Sequence, residues 1–380
     1  MKLVVSGGGT GGHVYPALTV IETLLSTPAG ARSQLRSDDV LWVGCRGGLE
    51  EGIVEHAGVA FVGLPAGGLA GMGAWQKGRN ALRIAGSVLP ARQILTQFAP
   101  DVVFVTGGYA CVSVTLAART LRKPVVIYLP DIVPGQAIRQ LSRFAARVAV
   151  TSEESIRYFE GSKVEVTGYP VRAGVFSMDR SEARRELGLD PQKATLLVFG
   201  GSRGAQSINR ALVAGLDALL PSCQIIHVSG HYDSDWVVQV TQDLPEEIAA
   251  EYHHFDYMHN MPAALVAADL AVARAGAATM GEFPAAGLPS LLVPYPHSGQ
   301  HQQPNADHMA RHGAAQVLPD AGLDETLVST IGELLHDADA LESMQNAARA
   351  MARPDAAEAL ANQLWSLAGR AADSRAGEVT

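Results

Sequence analysis

At 380 residues the chain is long enough for two domains that each bury a hydrophobic core, and 47% of its residues are hydrophobic. Its net charge of −9 conceals an asymmetry, because residues 1–172 carry 17 Lys and Arg against 12 Asp and Glu, whereas residues 173–380 carry 12 against 26. The sequence shows no signal peptide, no uncharged run long enough to span a membrane and no disulfide-type cysteine spacing, so we expect a cytoplasmic protein without a membrane span.

The first predicted elements are a buried strand, KLVVSG, a glycine loop and an amphipathic helix, VYPALTVIETLLS. Glycine lets main-chain N–H groups converge near the positive end of a helix, so this order predicts an anion site or a close approach of backbone segments. Gly7, Gly9 and Gly12 satisfy the dinucleotide fingerprint, but Cys45 and Arg46 follow the second strand where an acid would hold a ribose. That signal is therefore weak.

His13 begins the helix immediately after these glycines, where its imidazole could reach into a cleft. We favour a functional histidine, because loops at strand ends carry sites and a neutral imidazole can accept a proton at cytoplasmic pH. The alternative is a structural histidine that bonds to nearby backbone at the helix start.

The segment from residue 75 to residue 92 combines an apolar helical face with positive charge. The apolar face comprises Trp75, Leu82, Ala85, Val88 and Leu89, beside Lys77, Arg79 and Arg83. Asp101 is the only acid between His56 and Pro130. This pattern predicts either a core-facing helix or docking to an anionic membrane, and both readings stay open.

Strands and helices alternate through both halves of the sequence. The first half continues with DVVFVTGGY, KPVVIYLPD and RVAVTS, and the second with TLLVFGGSRG, CQIIHVSG and DLAVARAG. This alternation predicts an α/β fold with parallel sheets and with loops gathered at their carboxyl edges. Asp233-Ser234-Asp235 looks like a metal-binding motif, but capping of a helix N-terminus is the favoured interpretation.

The stretch from Arg274 to Ala306 concentrates polar groups around a buried strand. Glu282 is its only carboxylate and lies in an otherwise apolar helix, and residues 289–293 form an apolar run that leads into PHSGQHQQPNA. Amide and imidazole groups both donate and accept hydrogen bonds, as the hydroxyls of a sugar require. We therefore expect a sugar-binding site here.

Six blocks in order resemble the MurG family of inverting UDP-sugar transferases. They are GGGTGGHVYPAL, TGGY, GYPVR, GGSRGAQSIN, RAGAATMGEFPAAGLPSLLVPYP and HQQPNA. The resemblance implies the GT-B fold, with two facing Rossmann-like domains. An acceptor- and membrane-facing domain would comprise residues 1–168 and a C-terminal helix at 355–380, and a donor domain residues 169–354.

The resemblance also implies roles for individual residues. The main chain near Met258 would bind uracil, Glu282 the ribose, and Ser202 with the glycine loops the diphosphate. The implied donor-binding set is Thr10, Gly11, Gly12, Arg172, Ser202, Met258, Arg274, Glu282, His301, Gln302 and Asn305; the acceptor-side set is Gly107, Gly108 and Tyr109. His13 is the candidate base and Asp131 its competitor, because Tyr128-Leu129-Pro130-Asp131 stands where the family commonly has His-Glu-Gln-Asn.

The implied reaction transfers N-acetylglucosamine from UDP-N-acetylglucosamine to the 4-hydroxyl of the muramyl sugar of lipid I, with inversion, in peptidoglycan synthesis. No cofactor is required if the protein neutralises the diphosphate, although a divalent cation could stimulate the reaction. The implied partners are the two substrates and anionic inner-membrane lipids at the cytoplasmic face, without nucleic acid. Two alternatives stay open: a related transferase with another lipid or secondary-metabolite acceptor, and a nucleotide-sugar or dinucleotide binding protein without transferase activity.

Overall fold

The computed structural model describes residues 1–26, 35–65, 74–201, 204–296 and 302–377. The chain divides into two compact units, one formed by Met1–Pro170 with Asp355–Thr380 and the other by Val171–Pro354. In both units the apolar runs of the sequence form parallel strands, which confirms the predicted α/β class with two Rossmann-like domains.

The first unit contains a parallel sheet of seven strands in the order β3-β2-β1-β4-β5-β6-β7. The strands are β1 (Leu3–Ser6), β2 (Val40–Cys45), β3 (Ala60–Leu64), β4 (Val102–Val105), β5 (Val125–Leu129), β6 (Arg147–Val150) and β7 (Val164–Val166). The helices of this region are α1 (Gly11–Ser26), α2 (Leu49–His56), α3 (Ala74–Phe98), α4 (Ala110–Thr120) and α5 (Gln136–Leu141). Every residue of β1, β4 and β5 is buried, as expected for parallel strands covered on both faces.

The strand order brings three loops of the first unit together. β4 pairs with β1 on one side and with β5 on the other, and all three strands run parallel. Their carboxyl ends are Ser6, Val105 and Leu129, so the glycine loop after β1, the Thr106–Tyr109 loop after β4 and the loop that begins at Pro130 all lie at one edge of the sheet.

The second unit contains a parallel sheet of six strands in the order β10-β9-β8-β11-β12-β13. The strands are β8 (Thr195–Phe199), β9 (Gln224–Val228), β10 (Tyr252–Phe255), β11 (Leu270–Ala273), β12 (Ser290–Leu292) and β13 (Ala315–Val317). The helices are α6 (Ala173–Ser177), α7 (Arg180–Glu186), α8 (Gln206–Ala214), α9 (Leu216–Leu219), α10 (Ser234–Thr241), α11 (Glu246–Ala249), α12 (Met261–Ala267), α13 (Thr279–Ala286), α14 (Gln302–Arg311), α15 (Leu323–His336) and α16 (Ala338–Met351). Between β8 and β11 the strand order reverses, which is where open α/β sheets bind ligands.

Asp269, directly before β11, ties helix α7 to this sheet. Its carboxylate accepts hydrogen bonds from Arg184 Nη2 at 2.6 Å, from Arg180 Nη1 at 2.8 Å and from the main-chain N–H of Thr195 at 2.8 Å. The Arg184 side chain is 9% exposed, so its charge depends on this partner.

The last helix, α17 (Ala356–Gly377), belongs to the first unit and packs against α1 and β4. Ala356, Leu360 and Leu364 are fully buried there. Within the described parts of the chain, no helix has both the length and the apolar character that crossing a membrane requires.

Candidate active site

His13 and Asp131 lie side by side at the loop edge of the first sheet. His13 is in the first turn of α1, and Asp131 follows β5. The distance from His13 Nε2 to Asp131 Oδ2 is 3.9 Å, and the two side chains are 24% and 19% exposed. The two residues that the sequence offered as rival bases therefore share one site.

The other ring nitrogen of His13 is held by the glycine loop. Nδ1 lies 3.1 Å from the carbonyl oxygen of Gly8 and 3.2 Å from Thr10 Oγ1. A carbonyl oxygen only accepts, so Nδ1 carries the proton that is donated to Gly8. In the neutral imidazole Nε2 is then unprotonated, and it is the nitrogen that lies 3.9 Å from Asp131 Oδ2. The predicted bond of His13 to nearby backbone at the helix start is observed at Nδ1, and a functional role for Nε2 stays a prediction.

The Thr106–Tyr109 loop packs against the same histidine. Thr106 Oγ1 donates to the carbonyl oxygen of His13 at 2.7 Å. Gly107 has a φ of +129°, and a Cβ atom there would lie 2.9 Å from Cδ2 of the His13 ring. Gly107 is thus a place where only glycine leaves the ring undisturbed, while Gly108 and Tyr109 are partly exposed at the same edge.

The segment Tyr128-Leu129-Pro130-Asp131, where the chain departs from its resemblance, divides into a core part and a site part. Tyr128 is fully buried. Its hydroxyl donates to the Gly168 carbonyl at 3.2 Å and lies 2.9 Å from Thr151 Oγ1, and burial raises the pKa of this hydroxyl. Asp131 has its side chain at His13, with Oδ2 3.9 Å from Nε2. The departure therefore alters the site through Asp131, and Tyr128 has a packing role.

Thr10, Gly11 and Gly12, which were expected to help bind the donor, lie in the first unit beside His13. Thr10 is exposed, and both glycines are partly exposed in the first turn of α1. The Tyr169 hydroxyl donates to the Gly12 carbonyl at 3.4 Å. Their contact with a donor stays a prediction.

Glu282 is the central acid of the second unit. It lies in α13, is 12% exposed, and its Oε1 is 3.7 Å from Nη2 of Arg172. Burial raises the pKa of the Glu282 carboxyl, and the nearby Arg172 charge counteracts that rise. A partly exposed carboxylate with one cation beside it retains acceptor capacity for hydroxyl groups of a ligand.

Arg274, at the end of β11, is engaged in an internal network. Its Nη1 lies 2.5 Å from Asp320 Oδ1, its Nη2 donates to Ser207 Oγ at 2.8 Å, and its guanidinium lies 5.3 Å from the centroid of the Tyr295 ring. Ser207 is in the first turn of α8, so Arg274 joins the strand end to the helix that follows the second glycine loop. The described contacts of Arg274 therefore lie beside the second glycine loop, and a direct contact of Arg274 with a ligand stays a prediction.

The remaining residues that were predicted to bind the sugar donor differ in how deeply their side chains are buried. Met258, after β10, is 8% exposed. Gln302 begins α14 and accepts a hydrogen bond from the main-chain N–H of Tyr295 at 2.9 Å. Asn305 is fully buried and donates to the Ala275 carbonyl at 3.1 Å, so its described contact supports the loop after β11. Ser202 and His301 lie outside the described residues.

A buried network behind the second glycine loop was not anticipated from the sequence. Asn209 of α8 donates to the Ser229 carbonyl at 2.9 Å and to Asp233 Oδ2 at 2.8 Å, and its Oδ1 accepts from His227 Nε2 at 3.0 Å. His227 Nδ1 lies 2.6 Å from the Tyr252 hydroxyl, and burial lowers the pKa of His227 to about 3, so this imidazole is neutral. The only signal was a polar residue inside an apolar helix and another inside a buried strand.

The expected capping role of Asp233 is wrong. Asp233 precedes α10, but its side chain makes no hydrogen bond to the first turn of that helix. Its carboxylate accepts from Asn209 and, at 3.4 Å, from Gln206 Nε2. The buried amide of Asn209 is a competing donor that the sequence order did not reveal.

Two family models match the chain, and together they cover most of it. The N-terminal domain model of glycosyltransferase family 28 matches residues 3–150, and the C-terminal domain model of the same family matches residues 195–360. The first range includes the His13 and Asp131 site, and the second includes Glu282 and the second glycine loop. The fold and these sites define a glycosyltransferase.

Relatives with curated names specify the group within this family. A protein of Roseiflexus sp. (strain RS-1), named UDP-N-acetylglucosamine–N-acetylmuramyl-(pentapeptide) pyrophosphoryl-undecaprenol N-acetylglucosamine transferase, is 40% identical over an alignment 413 positions long, which covers 95% of this chain and 94% of the relative. A protein of the same name from Halalkalibacterium halodurans is 37% identical over 365 aligned residues, covering 95% of this chain and 98% of the relative. The crystal structure of Acinetobacter baumannii MurG is similar with a TM-score of 0.72 at 25% identity, covering 96% of this chain and 99% of that one. The chain belongs to the MurG group of glycosyltransferase family 28.

Proposed function

We propose that this enzyme transfers N-acetylglucosamine from UDP-N-acetylglucosamine to the 4-hydroxyl of the muramyl sugar of lipid I, which yields lipid II for peptidoglycan. The names of relatives at 37–40% identity support the two substrates. The observation on which the chemistry rests is the orientation of His13, whose Nδ1 donates to Gly8 and whose Nε2 is left unprotonated 3.9 Å from Asp131.

In the proposed reaction the acceptor hydroxyl attacks the anomeric carbon from the face opposite UDP. A bond forms between that oxygen and the anomeric carbon while the bond to the diphosphate oxygen breaks, so an α donor gives a β-1,4 product. The proton of the attacking hydroxyl passes to Nε2 of His13. The Asp131 carboxylate, 3.9 Å from Nε2, would be the counterion of the imidazolium that results.

We assign donor recognition to the second unit. Glu282 would accept hydrogen bonds from the ribose hydroxyls, and the main chain near Met258 would meet the uracil. The glycine loop that includes Gly200, Gly201 and Gly204, with the N-terminus of α8, would place N–H groups and a helix dipole at the diphosphate. These groups supply positive potential without a metal, so we expect turnover in the presence of a chelator, and a divalent cation acts at most as a stimulant.

We place the enzyme at the cytoplasmic face of the membrane, bound peripherally through the first unit to anionic lipids. Leu89 on α3 is 68% exposed, and the basic residues expected to flank it, Lys77, Arg79 and Arg83, belong to a stretch whose side chains lie outside the description. Replacing the three by Glu should abolish cosedimentation with anionic vesicles, because each basic group near such a surface contributes about 1 kcal/mol. Cosedimentation equal to that of the wild type would locate the membrane contact elsewhere.

An acceptor panel tests the proposed function. The enzyme is mixed with UDP-N-acetylglucosamine and either lipid I or diacylglycerol, and UDP release and product mass are measured. Product with lipid I alone supports the proposal, whereas product with diacylglycerol alone selects the alternative of a different acceptor. Absence of UDP release with every acceptor, together with retained UDP binding, would identify a binding protein without transferase activity.

The assignment of the base is tested by paired substitutions. His13→Ala should lower kcat by about 10²- to 10⁴-fold while UDP affinity stays close to wild type. Asp131→Asn keeps the size of the side chain and should cost less, because in this mechanism the carboxylate stabilises the imidazolium and does not take the proton. An active His13→Ala enzyme beside an inactive Asp131→Asn enzyme would reverse the two roles.

A further inference from the structure

Glu50 is a buried carboxylate in the first unit for which the mechanism above has no role. It lies in the first turn of α2 and is 2% exposed. Its Oε2 accepts a hydrogen bond from the main-chain N–H of Gly9 at 3.1 Å, and its Oε1 accepts one from the N–H of Cys45 at 2.9 Å. The carboxylate therefore joins the end of β2 to the first glycine loop.

The Glu50 carboxylate occupies space that side chains at the neighbouring glycines would fill. A Cβ atom at Gly8 would overlap the Glu50 carboxylate, and one at Gly48 would lie 2.6 Å from Oε2. The Gly9 N–H, which in a dinucleotide site would lie near a pyrophosphate, is thus bonded to an acid of the same chain.

One peptide group connects Glu50 to His13. The carbonyl of Gly8 and the N–H of Gly9 belong to the same planar peptide unit, so they point in opposite directions. Glu50 binds the N–H end of this unit, and Nδ1 of His13 donates to its carbonyl end at 3.1 Å. Rotation of the peptide would break both bonds together, so the orientation of the carbonyl depends on the carboxylate.

We propose that Glu50 is a positioning residue that fixes the Gly8–Gly9 peptide and thereby keeps the proton of His13 on Nδ1 and the lone pair on Nε2. The catalytic consequence rests on the proposed function, in which His13 Nε2 accepts the proton of the acceptor hydroxyl. We take as the expected scale the loss of about 10- to 100-fold that follows removal of a hydrogen-bond partner that orients a metal-binding histidine.

The test uses Glu50→Gln in the full chain, because the amide keeps the size of the side chain but offers a single acceptor oxygen for the two N–H groups. The tautomer is read from the ¹⁵N chemical shifts of labelled histidine, with the His13 signals assigned by their loss in His13→Ala. We expect Nδ1–H at His13 in the wild type, a shift of the proton toward Nε2 in Glu50→Gln, and a fall in kcat of about 10- to 100-fold with the UDP Kd unchanged. Glu51→Gln is the matched control, because Glu51 lies on the same helix and accepts from Gly47 N at 2.6 Å.

Two results would overturn the proposal. One is a proton on Nε2 of His13 in the wild type, and the other is a Glu50→Gln enzyme whose tautomer and kcat equal those of Glu51→Gln. If Glu50→Gln does not fold, Glu50→Asp is used instead, because the shorter carboxylate cannot reach both N–H groups. An active His13→Ala enzyme would refute the proposed base, whereas the tautomer response to Glu50 is measured without turnover and tests the positioning separately.

Discussion

Replacing Glu282 by Gln should weaken UDP binding by about 1–3 kcal/mol, or about 5- to 150-fold in Kd, which is the cost typical of losing charge-assisted hydrogen bonds. Glu282 is 12% exposed with Arg172 at 3.7 Å, so the substitution removes the charge without opening a cavity. Glu282→Ala should fall in the same range. The size of the loss in UDP affinity depends on the number of ribose hydroxyls that donate hydrogen bonds to the carboxylate.

The same carboxylate should make UDP binding depend on pH. Burial raises the pKa of Glu282 above its ordinary value of 4.5 in the free protein. Ribose hydroxyls that donate to the carboxylate favour its ionised form, so the pKa is lower in the complex than in the free protein. UDP affinity should therefore increase as pH rises through the raised pKa, with release of up to one proton, and each unit between the two pKa values corresponds to about 1.4 kcal/mol of affinity.

Titration calorimetry at several pH values, in two buffers of different ionisation enthalpy, measures both quantities. Wild type should release protons on binding UDP, and Glu282→Gln should bind more weakly and release none at this position. Glu333→Gln, which alters an exposed carboxylate on α15 of the same unit, is the control and should match the wild type. Equal affinity and equal proton release in Glu282→Gln and wild type would remove Glu282 from the donor site.

Three further predictions concern stability and the first-unit loops. Because the pKa of His227 is lowered from 6.5 to about 3, the unfolded chain binds a proton at this residue before the folded chain does as pH falls. The contribution of His227 to the free energy of unfolding is fully present above pH 6.5 and declines toward pH 3 by up to about 1.4 kcal/mol per pH unit. Urea titrations of His227→Gln should therefore show a shallower decline than those of the wild type. Asp269→Asn should lower the free energy of unfolding by about 3 kcal/mol, because the charge of the largely buried Arg184 loses its counterion, and a wild-type melting curve would contradict this. Gly107→Ala should reduce kcat by about tenfold at unchanged UDP affinity, since φ is +129° and the new methyl group meets the His13 ring, and an unchanged kcat would show that the ring tolerates displacement.

Much of the fold could be predicted because it depends on local patterns. Apolar runs such as residues 102–105 and 291–293 are typical of buried strands, and their alternation with helices favours a parallel sheet, in which helices cover both faces. Glu282 could be predicted as a candidate site residue for a similar reason, because an isolated acid in an apolar helix is costly to bury unless it has a partner or a ligand.

Three features of the candidate site depend on the tertiary structure. They are the pairing of His13 with Asp131, the burial of Tyr128 while Asp131 of the same segment lies at His13, and the role of Glu50. His13 and Asp131 are far apart in the chain and meet because β1, β4 and β5 are neighbours in the sheet, an order that no local pattern specifies. Glu50 is one of three glutamates in α2, and only the position of that helix against the glycine loop decides which carboxylate is buried. Local sequence patterns therefore determine the helices and strands. Which polar groups form the site depends on hydrogen bonds between residues distant in sequence, because those bonds form only after the sheet has brought its loops together.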